Sequence, residues 1–248
     1  MSSATRPFAV LKDAGYVRMR RISAWLFLCA FCTGAVQAES CTSGRLADFV
    51  ANGYGERIEF DVLRNGKPIG EHVTQFTHSE AGLVVESSMK LTVRILAIPV
   101  YRFAYRSRDV WCNGRLSALD ASVDDNGTLS RVRAVREDGQ LRIERDGVKQ
   151  QVAADLMPTN HWNPDVLGQD RVLNTLTGLV NEVRIAPCSQ PSDLIAAAAP
   201  EARCHAYTGD LEAKAWYDDF GRWVGLEFSG DDGSEIVYVC RRCGGAGA

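Results

Sequence analysis

Leu83-Val84-Val85-Glu86-Ser87-Ser88-Met89-Lys90-Leu91-Thr92-Val93-Arg94-Ile95 is the stretch whose reading decides the fold. Its odd positions are mostly apolar, and its even positions carry Glu86, Ser88, Lys90, Thr92 and Arg94. Successive side chains of a strand point to opposite faces, so this pattern predicts one long strand with a buried and a wetted face. The alternation returns in Ile58, Phe60 and Val62 against Glu59 and Asp61, and in Val224, Leu226 and Phe228 against Glu227.

Working outward, six dipeptides fall between such runs: Asn65-Gly66, Asn113-Gly114, Asn126-Gly127, Asp138-Gly139, Asp146-Gly147 and Asp232-Gly233. Asn, Asp and Gly tolerate the positive φ angles of tight hairpins, so each pair marks a strand reversal. Sequential reversals predict an antiparallel meander rather than α/β crossovers. Helix is expected only over 44–51, in a turn over 164–168, and over 193–199. An antiparallel sheet this long must cover its apolar face or close on itself. The expected fold is therefore mainly β: a single domain with little helix, its meander forming a strongly curved sheet or an open or half barrel.

The N-terminal 38 residues read as a leader. Arg18, Arg20 and Arg21 precede an apolar run over 22–36, and Val36-Gln37-Ala38 offers small side chains for cleavage. Basic cluster, short apolar run and small-residue site describe a secretory signal. The run is about 15 residues, short of the roughly 20 that span a bilayer. Met19 stands as a second possible start. Cys29 and Cys32 lie inside the apolar run and Cys41 follows Ala-Glu-Ser, so none fits a lipoprotein site. The expectation is a signal over 1–38 with cleavage near Ala38, then one β domain over 39–248 with a Gly-rich tail, without a membrane span and placed in the periplasm.

Of 28 basic and 31 acidic residues, five basic and one acidic lie in 1–38, leaving 23 against 30 and a formal charge of −7. That balance disfavours nucleic acid and anionic surfaces as partners. Six cysteines remain: Cys41, Cys112, Cys188, Cys204, Cys240 and Cys243. An even number in an exported chain predicts disulfides. Cys188 and Cys204 flank a Pro/Ala-rich loop and are expected to staple it. Cys41 could join Cys112 or the C-terminal pair. Cys240-Arg-Arg-Cys243 reads as a structural pair; redox exchange and zinc held with Cys204 and His205 are the alternatives. No metal or cofactor is expected.

Two constellations carry candidate chemistry. Tyr101, Phe103, Tyr105 and Trp111 share one strand face, with Arg102, Arg106 and Arg108 on the other; the aromatics could line a hydrophobic ligand site or be core. Pro158-Thr159-Asn160-His161-Trp162-Asn163-Pro164 gathers an imidazole, an indole and two amides outside any strand pattern. His161 could serve as a base, with Trp162 and Asn163 contacting ligand. Alternatively, Trp162 plugs the barrel while His161 and the amides bond loop backbone. His72, His78, His161 and His205 show no metal spacing, and no nucleophile elbow or phosphate loop occurs.

Residues 58–70 (Ile-Glu-Phe-Asp-Val-Leu-Arg-Asn-Gly-Lys-Pro-Ile-Gly) resemble the opening hairpin of an uncharacterised domain-of-unknown-function family of secreted bacterial proteins. The likeness continues through Ile98-Pro-Val-Tyr-Arg-Phe103, Ser107-Arg-Asp-Val-Trp111, Pro158-Thr-Asn-His-Trp-Asn163, Leu173-Asn-Thr-Leu-Thr-Gly178 and Trp216-Tyr-Asp-Asp-Phe-Gly-Arg-Trp223. It spans about 56–239 and departs from the family mainly in its cysteines and in a longer loop over 187–203. The element order is distantly similar to the curved sheet of lipoprotein carriers. That resemblance implies fold and compartment. The function expected is non-enzymatic binding or carriage of a lipid or other hydrophobic ligand, in an apolar cavity of several hundred Å³. A filled interaction module and a hydrolase centred on His161 are the alternatives.

Overall fold

A computed structural model describes Cys41 and residues 44–189 and 192–244. The expected leader, the second start at Met19, Cys29, Cys32 and the last four residues of the Gly-rich tail lie outside the described residues. Among the described residues, no helix is long and apolar enough to cross a membrane.

The chain opens with α1 (Arg45–Gly53) and then runs a meander of eight strands: β1 (Arg57–Arg64), β2 (Lys67–Ser79), β3 (Gly82–Ile95), β4 (Ile98–Cys112), β5 (Arg115–Asp125), β6 (Thr128–Glu137), β7 (Gln140–Arg145) and β8 (Val148–Ala153). A second series follows: β9 (Met157–Pro158), a 3-10 turn (Pro164–Gly168), β10 (Arg171–Leu173), β11 (Val180–Cys188), α2 (Asp193–Ala198), β12 (Arg203–Gly209), β13 (Ala213–Tyr217), β14 (Trp223–Ser229) and β15 (Glu235–Arg242). Thus the mainly β, helix-poor class expected from periodicity is found, as are all three short helical segments.

The fifteen strands form one sheet in the order β8 to β1, then β15 back to β9. Antiparallel pairing of β1 with β15, Val62 opposite Tyr238, joins the two series at their outermost elements in sequence. The two edges, β8 and β9, are consecutive in the chain. The sheet stays open, and residues 154–156 cross between its edges.

Five of the six expected turn pairs hold both residues at positive φ, from Asn65-Gly66 to Asp146-Gly147. At Asp232-Gly233 only the glycine does so, because β14 and β15 are joined by five residues rather than two. Two further two-residue turns occur: Glu80-Ala81 between β2 and β3, outside the left-handed region, and one between β3 and β4 that puts Leu96 and Ala97 at φ 48° and 70°. No glycine, Asn or Asp announces the latter.

The alternation over 83–95 is real for its first half. Leu83, Val85, Ser87 and Met89 are buried, and Glu86 and Lys90 exposed. From Leu91 onward burial fades, and Ile95 is exposed. In β14 the first four residues are all buried, against the expected alternation. There α2 covers the outer face, its Ile195 resting where a Cβ on Gly225 would stand 2.7 Å from the isoleucine Cδ1. Gly225 is what allows that approach.

The cysteines pair as Cys41–Cys112, Cys188–Cys204 and Cys240–Cys243. The first ties the segment before α1 to the end of β4. The second staples β11 to β12 across the α2 loop, as expected. With these pairings, a zinc site on Cys204, Cys240, Cys243 and His205 has lost its thiolates. No other metal-binding cluster occurs among the described residues.

Candidate functional site

β4 positions the aromatic stripe. Its inner face presents Tyr101, Phe103, Tyr105, Ser107, Asp109 and Trp111 in turn, and burial deepens along it. Tyr101 and Phe103 are half-buried, whereas Tyr105, Ser107, Asp109 and Trp111 are buried. The strand therefore runs from an open rim to a closed core.

What closes the core is the segment 158–164, laid inside the curve. Trp162 is buried edge-on between Trp111 and Phe76, with ring centroids 5.3 and 5.4 Å away. His161 points the other way, its ring 5.4 Å from both Tyr207 and Trp223. The Asn163 side-chain carbonyl accepts from the backbone N–H of Asp165 at 3.1 Å and so caps the 3-10 turn. The Asn160 amide donates to the Asp109 carboxylate. Tyr54, just beyond α1, locks the arrangement: its hydroxyl donates to the Trp162 carbonyl at 2.9 Å and accepts from the Trp223 N–H at 2.7 Å. From the next loop, Thr175 accepts a 2.9 Å hydrogen bond from Tyr105.

Burial shapes the electrostatics. Asp109 is pushed up to about 7 by desolvation, which Ser107, the Asn160 amide and the Trp111 indole only partly offset. Of these, the Asn160 amide reaches full hydrogen-bond geometry, and the other carboxylate oxygen has no partner. His161 is held down to about 3 by burial and by the nearby His72, which burial itself lowers to about 4. His72 is ringed by Phe60, Trp223 and Tyr238. At the rim, Tyr101 is pushed up to about 12 by burial and by Asp125 and Asp231 beside it.

These placements sort the expected residues. Trp111, Tyr105, His161, Trp162 and Asn163 come together, but as an interior packed by its own side chains. The enclosed apolar cavity expected beneath them is filled by Trp162 and its neighbours. A groove of about 580 Å³ opens instead on the outer face, lined by Glu71, Gln75, Glu86, Arg106, Arg108 and Asp120, and it is polar. Arg108 there faces Glu86 at 3.6 Å. For His161, no carboxylate partner occurs among the described residues, so a base oriented by an acid is not assembled. Tyr101 and Phe103 alone of the stripe keep surface to offer. Asp109 and His72 escaped the sequence reading, although a carboxylate on the aromatic parity of β4 was the available signal.

Residues 60–241 match the model of a family described as a domain of unknown function, DUF6134. No curated protein matches. Among solved structures, the chain is similar to a beta-barrel-like protein of another domain of unknown function, DUF1849, from Brucella abortus. The TM-score is 0.52 at 12% identity, covering 75% of this chain and 95% of that one.

Proposed function

The chain belongs to the DUF6134 family, and from that premise we propose that it is an exported, non-catalytic binding protein that holds a lipid or other hydrophobic ligand against the rim of its curved sheet. The observation that carries this reading is the burial gradient on β4. Phe103 is half-buried and packed against the core, Tyr101 beyond it is half-buried with its hydroxyl beside Asp125, and the stripe deeper than these is buried. Leu91, paired with Phe103, widens the same patch. A ligand is held at the rim of the fold and not swallowed by it. Three disulfides fit an oxidising compartment such as the periplasm.

A second reading, a protein-interaction module, is favoured by β8, an edge strand whose residues are exposed save one. Native mass spectrometry of the protein isolated without detergent, followed by solvent extraction, separates the two. A lipid that co-purifies with the natural protein and is lost from Phe103→Asp supports rim binding. An apo mass that persists after incubation with lipid extract supports the interaction module.

A further inference from the structure

The tip of the β3–β4 hairpin leaves the hydrogen-bonded ladders of both neighbours. β3 pairs with β2 only as far as Leu91 opposite Gly70, and β4 pairs with β5 only from Phe103 opposite Asp125. Residues 92–95 and 98–101 pair with each other alone, and the Arg102 carbonyl still accepts from the Asn126 N–H at 2.8 Å. At about 3.3 Å per residue, the four residues past Leu91 carry this ribbon on the order of 13 Å beyond its last ladder contact with β2, whose own Lys67–Ile69 run on towards the β1–β2 turn.

Its tip is apolar and bare. Ile95-Leu96-Ala97-Ile98-Pro99-Val100 is exposed throughout, with Leu96 at 94% and Ile98 at 66%. Leu96 and Ala97 also occupy the left-handed region that five of the six other two-residue turns fill with Asn-Gly or Asp-Gly, the sixth, Glu80-Ala81, staying out of it. A tip facing only water would be served better by those residues, both sterically and in solubility. Pro99 removes a backbone donor from the ribbon. The ionised side chains within 92–102 are Arg94 and Arg102, with no acid among them. Thr92 pairs with Arg102, so both arginines share the outer face of the ribbon. Tyr101 sits at its base. Apolar tip, then guanidinium and phenol, is the depth profile of a bilayer: acyl chains, then phosphates and interface. Of the eleven exposed large hydrophobic side chains among the described residues, eight lie at this end of the sheet, Leu129, Val148 and Leu179 among them.

We propose that the ribbon over 92–102 is a membrane-docking hairpin that inserts Ile95, Leu96 and Ile98 into an anionic phospholipid surface while Arg94 and Arg102 meet its phosphates. The docking stands whether or not the rim holds a cargo. It sets the two guanidinium groups near the tip against the acidic balance of the chain, with Asp125 and Asp231 lying beside Tyr101 at the base of the ribbon.

The test uses protein recovered from the envelope of producing cells and vesicles of phosphatidylethanolamine and phosphatidylglycerol with brominated acyl chains. With Trp25 removed along with the leader, as the intact mass must show, the remaining Trp111, Trp162, Trp216 and Trp223 are buried and give a constant background. Leu96→Trp adds a reporter at the tip, and Phe220→Trp adds one at the opposite end, where Phe220 is also exposed, at 76%. We expect Leu96→Trp emission to shift blue and fall at least twofold on brominated vesicles, with Phe220→Trp unchanged. Replacing Arg94 and Arg102 by Ser is expected to lower partition onto anionic vesicles about tenfold and onto phosphatidylcholine little. An unquenched Leu96→Trp, or equal quenching at both ends, overturns the proposal. So does a concentration-dependent blue shift without vesicles, which assigns the tip to a second copy of the chain.

Discussion

Asp109 has one carboxylate oxygen bonded to Asn160 and the other without a partner, deep on a face otherwise built of aromatics. Its ordinary value is 3.8, and burial lifts it to about 7. Between those values the folded protein holds a proton that the unfolded chain has released. The stability contributed by the neutral acid is therefore full below about pH 4 and is lost as pH rises through 7. His72 and His161 act in the opposite sense. They stay neutral when folded down to about 4 and 3, whereas the unfolded chain protonates from 6.5, so their contribution is lost as pH falls below 6.5. Asp109→Asn removes only the first limb. It is expected to gain on the natural protein between pH 5 and pH 8 by up to a few kcal/mol, since each tenfold change in proton affinity on folding is worth about 1.4 kcal/mol. Urea midpoints at the two pH values check this, and a difference independent of pH refutes it. None of this was legible beforehand, because the environment of Asp109 is made by Asn160, 51 positions away. The parity of position 109 could be read from the sequence, but not what lies over it.

Among the elements, most of the legible information sat in turns and cysteines. Asn-Gly and Asp-Gly announce hairpins because their backbone preference is intrinsic, and five of six pairs formed them. Leu96-Ala97 forms the same kind of turn without that preference, forced by the strands on either side. It was invisible for that reason. The Cys188–Cys204 bridge was legible from its flanking of a Pro/Ala-rich loop, whereas the partner of Cys41 depends on where β4 ends in space. The Cys188–Cys204 bridge closes 16 positions across the α2 loop. Changing both residues to Ser is expected to cost about 3 kcal/mol by freeing that loop in the unfolded chain, measured as a drop in the urea midpoint. A change below ~0.5 kcal/mol would mean that α2, through Ile195 on Gly225, holds the loop by itself.

Over the whole molecule, the curve of the sheet was foreseeable and its contents were not. Periodicity tells which face is dry, but not whether the dry side closes on a ligand or on the chain itself. Here segment 158–164 fills it, with Trp162 against Trp111 and Phe76. Trp162→Ala should leave the sheet paired but hollow, at a cost of about 3–5 kcal/mol. A rise in binding of an apolar dye at unchanged far-ultraviolet dichroism is the expected sign; unchanged dye binding would show that the interior collapses. The pairing of β1 with β15 was equally hidden, since Val62 and Tyr238 stand 176 positions apart. That pairing has a consequence in time. A chain emerging N-terminus first offers β1 early and keeps one of its edges open until β15 arrives, and closing so long a loop is slow. The fold cannot finish halfway, so the chain stays threadable until Glu235–Arg242 has been delivered.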